Sequence, residues 1–136
     1  EEGGPGIAAP HCSRGCAFGD FDNDGDLDIL IVNLNEPPSL LRNDLKSENH
    51  WLKVKLVGVK SNRSAIGAQV VVSWNGKQQV QEVSGGSGFC AQNQRRIHFG
   101  LGKSPKIEKV VIKWPSGATQ TLPAPEPGTI QKVKEP

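Results

Sequence analysis

Five carboxylates stand at alternate positions in one short run, Asp20-Phe21-Asp22-Asn23-Asp24-Gly25-Asp26-Leu27-Asp28. Packed this closely they repel one another, a cost that a bare acidic surface turn leaves uncompensated and a bound cation removes. A hard ion such as calcium takes six to eight oxygen ligands at about 2.3–2.6 Å. Alternating aspartates on a tightly turning loop can bring oxygens to one point, and Gly25 permits the turn. The spacing makes Asp20, Asp22, Asp24 and Asp28 the side-chain ligands. Asp26 is expected to contribute its backbone carbonyl, with its carboxylate facing outwards. A helix–loop–helix calcium site is excluded, because the glutamate it requires at loop position 12 is Ile31 here. Magnesium fits less well, since it prefers a smaller octahedral shell that keeps several waters. The expected role of the ion is structural: it fastens a turn ahead of a strand.

Other reactive residues form weaker patterns. Cys12 and Cys16 are too isolated for a convincing zinc site, although His11 adjoins them; a local disulfide and free thiols both remain open. Cys90 reads as a small buried hydrophobe. Asn62-Arg63-Ser64 fits the N-glycosylation pattern, which matters only in a eukaryotic secreted chain. Gly85, Gly86 and Gly88 lack the following Lys-Ser/Thr of a phosphate cradle. Ser87 has no spacing that identifies a base or an orienting carboxylate, and His98 falls within a short strand. Asn93, Arg95 and Arg96 could form a ligand edge beside the glycines, though they read better as hydrogen-bonded loop anchors. No catalytic residues are assigned, and the chain is read as non-enzymatic.

The elements that must position the acidic loop are strands. The chain has 136 residues with 16 Gly and 10 Pro, room for one ordinary domain or a small domain with an appended piece. Leu27–Val32 is short and rich in Ile and Val, so a strand follows the loop. Ser39–Asn43 supplies a turn or a short strand. Further strands are expected at Trp51–Val57, Ala65–Trp74, Lys77–Val83, Arg96–Phe99, Ile107–Trp114, Ala118–Leu122 and Thr129–Val133. Asn75-Gly76 marks a hairpin, and Pro115-Ser116-Gly117 closes another strand. Trp51, Leu52, Val54, Leu56 and Val57 are expected in the core. The fold class is all-β: an antiparallel β-sandwich or partly open barrel, with an N-terminal calcium loop and short strand.

Charge is divided along the chain. Residues 1–50 carry ten acidic against three basic side chains, and residues 51–136 carry 13 basic against four acidic. Lys53, Lys55, Lys109 and Lys113 alternate along strands and read as a solvated face. With few aromatics to stack bases, nucleic-acid binding is not expected. An anionic glycan or matrix partner suits the basic half better. The longest apolar run, Ile29–Val32, is far too short for membrane insertion.

GDFDNDGDLDILIVN resembles the calcium loop of FG-GAP repeats, which build integrin-type β-propellers. The remainder resembles the ASPIC/UnbV domain. The matching residues are Asn49-His50-Trp51-Leu52, Ser61-Asn62-Arg63 with Ile66-Gly67-Ala68, and Glu82 to Phe89 with Gln92-Asn93. His98-Phe99-Gly100-Leu101-Gly102 and Val111 to Gly117 complete them. The resemblance covers about residues 17–133. It implies a linker or fragment start over 1–16, an FG-GAP-like segment over 17–48 and an ASPIC/UnbV-like β-domain over 49–134. It further implies bound calcium, an extracellular or secreted setting (periplasmic or cell-surface in a bacterium), and upstream propeller repeats as neighbours. The expected function is a calcium-stabilised structural or adhesion module. The alternative is a carbohydrate- or matrix-binding domain that uses the basic β-region, with an extracellular protein or glycan as partner.

Overall fold

Short apolar runs broken by Gly, Pro and Asn turns fold as strands, in the order expected. The computed structural model describes residues 5–136; the first residues of the expected linker, 1–4, lie outside the described residues. After a four-residue helix α1 (Pro5–Ala8), the strands are β1 (Ser13–Gly19), β2 (Asp28–Asn33), β3 (Ser39–Leu41), β4 (His50–Val57) and β5 (Gln69–Trp74). They continue as β6 (Lys77–Glu82), β7 (Ile97–Gly102), β8 (Ile107–Lys113), β9 (Thr119–Leu122) and β10 (Thr129–Lys134). The molecule is all-β and mostly antiparallel, with three open sheets. Among the described residues, no helix is long and apolar enough to cross a membrane.

The chain divides into two compact units. One comprises the chain up to Lys46 together with Gly86–Gln94; the other is Ser47–Gly85 with Arg95–Pro136. The first unit holds the sheet β1-β2-β3. Its β1 strand was not expected from the sequence, because Ser13–Gly19 is polar and glycine-rich; it forms by antiparallel pairing with β2, Ala17 opposite Leu30 and Gly19 opposite Asp28. Gln94 N–H donates to the Phe18 carbonyl at 2.8 Å, so residues 86–94 flank the outer side of β1. Cys90 is exposed, contrary to the expected burial, and stands at a positive φ of 48° in this flanking turn. Cys12 and Cys16 are exposed free thiols.

The second unit stacks two sheets, β10-β4-β7 and β6-β5-β8-β9. Alternation sends Leu52, Val54 and Leu56 inward from β4, and Ile97, Phe99 and Leu101 inward from β7. They meet Val70, Val72 and Trp74 of β5 and Val110 and Ile112 of β8 in one core. Trp51 and Val57 are only half-buried: alternation puts Trp51 and Leu52, or Leu56 and Val57, on opposite faces of β4. Trp74 is buried with its indole N–H donating to the Leu101 carbonyl at 3.0 Å, so its polar atom is satisfied. Asn75 and Gly76 both have positive φ (47° and 70°) and join β5 to β6, the turn that Asn-Gly favours. The strand expected from Ala65 starts only at Gln69, since Ala65 has φ 55° and its N–H turns back to the Asn62 carbonyl. One pairing departs from the antiparallel rule: β10 runs parallel to β4.

Lys53 is the main exception to the expected solvated face. Lys55, Lys109 and Lys113 are exposed, but Lys53 is fully buried. Its Nζ lies 4.5 Å from the Trp51 ring centroid. Burial, and then the charge of Arg96, lower its pKa to about 8. Asn62 of the sequon uses its side-chain oxygen and nitrogen on the backbone of Ile66, both at 2.9 Å, and so braces its own turn.

Candidate metal centre

The acidic loop turns from β1 into β2, and its backbone dictates where the carboxylates point. Asn23 and Gly25 take positive φ (65° and 108°), which folds the loop back on itself. Asp22 Oδ1 accepts from Asp24 N–H at 3.3 Å and Asp24 Oδ1 from Asp26 N–H at 2.9 Å, two successive Asx turns. Asp20 and Asp28 are buried at the loop's two ends. Asp20 Oδ2 accepts from Gly25 N–H at 3.1 Å, and Asp28 Oδ2 from Phe21 N–H at 2.8 Å. These bonds tie the loop's ends to its middle.

The result is convergence. Carboxylate oxygens of Asp20, Asp22 and Asp28 lie within 4.8 Å of one another, and so do those of Asp22, Asp24 and Asp44. Asp22 belongs to both groups and links them. Asp26 is in neither. Its carboxyl pKa is raised, by partial loss of water and then by the charges of Asp24, Asp28 and Asp22. Among the described residues, groups of three or more metal-ligating side chains occur only here, and Cys12, Cys16 and His11 form none. His11 instead meets Glu36 at 2.6 Å.

Asp44 was not legible in the sequence, sixteen residues beyond the loop. The β2–β3 pairing, Ile29 opposite Leu41, brings the chain back so that Asn43 N–H donates to Asp28 Oδ1 at 2.9 Å. Asp44 thereby reaches the mouth of the loop. There it also binds Arg42, whose Nε lies 2.8 Å from Oδ1; hydrogen bonding to Asp44 and its charge raise the guanidinium pKa. The donor set is all oxygen and anionic, and each carboxylate keeps lone pairs beyond its backbone bonds. That chemistry fits a hard cation, and the residues that could hold one fall in two groups, Asp20 with Asp22 and Asp28, and Asp22 with Asp24 and Asp44.

No catalytic motif is assembled among the described residues. Ser87 Oγ accepts from Asn93 N–H at 2.8 Å, and Asn93 Oδ1 in turn accepts from Phe18 N–H at 3.0 Å. Both act as loop anchors. His98 belongs to the other unit, on β7, where its carbonyl accepts from Gln81 at 2.7 Å.

With the geometry in place, comparison with known proteins is decisive for the second unit. The family model described as ASPIC and UnbV matches residues 58–136, more than half of the chain. The chain belongs to the ASPIC and UnbV family. Cartilage acidic protein 1 of Xenopus tropicalis is 32% identical over 139 residues, which cover 98% of this chain and 21% of the relative. Cartilage acidic protein 1 of Homo sapiens is 32% identical over 123 residues, 86% of this chain and 18% of the relative. The chain thus spans about a fifth of the length of these curated relatives. The ASPIC and UnbV match begins at Gly58, so the acidic loop lies outside it, while the alignment to the Xenopus protein reaches across nearly the whole chain.

Proposed function

We propose that this chain is a calcium-stabilised, non-enzymatic extracellular module that serves structural association or adhesion. The reading rests on one observation, the convergence of Asp20, Asp22 and Asp28 with the adjoining Asp22, Asp24 and Asp44. A divalent cation there would offset the mutual repulsion of the carboxylates and lock the β1–β2 turn. The segment around the loop would be an FG-GAP-like repeat, and upstream repeats of a longer protein would pack beside it. In support, no further strand pairs with β3 among the described residues. A groove of about 330 Å³ lined by Phe18, Phe21, Leu30 and Leu40 adds apolar surface in the same unit. The likeness to cartilage acidic protein 1 supports the secreted setting.

Calcium titration of the parent and of Asp24→Ala, each followed by thermal unfolding, tests this. Calcium should raise the parent's midpoint by mass action, and the substitution should remove most of that rise. A parent with no saturable calcium response would overturn the metal assignment.

A second reading, binding of a sulfated glycan, is favoured by one feature. Lys55 and Lys132 are register partners across β4 and β10, both exposed, with exposed Lys134 two residues on. Like charges so placed repel and attract polyanions. Trp74 and Trp114 are buried, so sugar stacking on a tryptophan platform is not offered by either. Retention on immobilised heparin should fall in Lys132→Glu/Lys134→Glu; equal retention of parent and variant would discard this reading.

A further inference from the structure

Strand β10 is poorly secured by burial alone. Of its six residues only Val133 enters the core, and it pairs with the unit through a single parallel ladder on β4. Immediately after it, Glu135 is a buried carboxylate with 4% of its surface exposed. Its Oε2 accepts three consecutive backbone N–H groups, Val59 at 2.6 Å, Lys60 at 2.8 Å and Ser61 at 2.8 Å. Its Oε1 accepts the hydroxyls of Ser61 at 2.7 Å and Ser116 at 2.6 Å. Ser116 N–H donates to Ser61 Oγ at 3.1 Å, which fixes the two hydroxyls relative to each other.

Successive N–H groups aimed at one point form an anion-binding nest. The nest is built, not incidental. A Cβ at Gly58 would stand 2.1 Å from the Asn62 carbonyl oxygen, so the turn can close over position 58 only because that residue is glycine. Gly58 N–H closes the same turn on the Arg63 carbonyl at 3.2 Å. Five donors on one carboxylate match its two-oxygen geometry, and hydrogen bonds to an ionised acceptor are about twice as strong as neutral ones.

We propose that Val59–Ser61 and Ser116 form a carboxylate-recognition seat, and that Glu135 is its built-in ligand, fastening β10 to the unit. The seat recognises a carboxylate as a ligand site would, so a small carboxylate supplied from solution can occupy it once Glu135 is removed.

The test uses the whole chain. Parent and Glu135→Ala are compared by thermal unfolding and amide hydrogen exchange in sodium acetate and in sodium chloride of equal ionic strength. The parent should melt alike in both salts. In chloride the variant's midpoint should fall by roughly 5–15 °C, with faster exchange of the β10 amides than of those in β5 and β8. Acetate should restore part of the loss with a saturable dependence, and adding Ser116→Ala to the variant should weaken that rescue. An unchanged midpoint in Glu135→Ala, or a loss that is equal in acetate and chloride, overturns the proposal. Should Glu135→Ala not fold, Ser61→Ala and Ser116→Ala each remove one hydroxyl donor. Either should speed β10 exchange several-fold, and unchanged protection in both overturns the proposal.

Discussion

Two titratable side chains of the second unit, His98 and Glu135, lose stabilising contributions in acid. His98 is held at about 4, by burial and then by the charge of Lys53. An unfolded histidine titrates near about 6.5. Between those values the unfolded chain takes up a proton that the folded chain resists, so stability falls as pH drops through that window. Glu135 acts lower on the scale. Burial alone would raise its pKa, but hydrogen bonds from Ser116, Ser61 and Val59 outweigh it and hold the carboxyl down at about 2. Its folded value lies below its unfolded one, so its contribution is present above about 4.3 and is lost as pH falls towards 2. Denaturation midpoints followed from neutral pH downward should therefore decline in two stages. His98→Gln should flatten the first stage and Glu135→Gln the second. A parent whose midpoint is level from neutral pH to below the lower window would contradict both assignments.

At the scale of elements, turns and packed strands carry the fold. Gly76 completes the Asn-Gly turn at φ 70°, and Gly76→Val should cost about 1 kcal/mol or more, since a β-branched residue resists positive φ. Gly58→Ala should be worse, because the added methyl meets backbone, not a flexible side chain. Phe99→Ala removes a fully buried ring from the core between the two sheets and should cost about 3–5 kcal/mol. Urea denaturation reads all three, and Phe99→Ala within error of the parent would place the core elsewhere. Most of these elements were legible: apolar–basic alternation over residues 51–57 marked β4, and Asn-Gly marked the β5–β6 hairpin. Strand β1 was not, because Ser13–Gly19 has no apolar alternation and owes its conformation to β2 and to the flanking residues 86–94. The start of β5 was misplaced for a local reason, the positive φ of Ala65, which no propensity of alanine suggests.

At the scale of the molecule, charge is segregated by unit nearly as sharply as by the two parts of the sequence. The second unit carries 13 basic and five acidic residues, a net of +8, and the first a net of −6. Of the five acids, Glu135 is sealed in its seat and Glu48 pairs with Lys103 at 2.8 Å. If the ion belongs to the first unit, calcium should slow amide exchange chiefly in residues 20–28 and 42–44. Protection spread evenly over β4 to β10 would point to a different site. The sequence by itself determined the all-β class, the order of most strands and the acidic run, because these depend on period-two patterning, turn chemistry and neighbouring charges. Tertiary structure alone decided that Asp44 joins the aspartates, that Lys53 is buried while Lys55 is not, and that Glu135 meets a turn more than seventy residues earlier. The physical reason is common to all three: each depends on which distant backbone a strand pairing delivers, and local patterning carries no record of that.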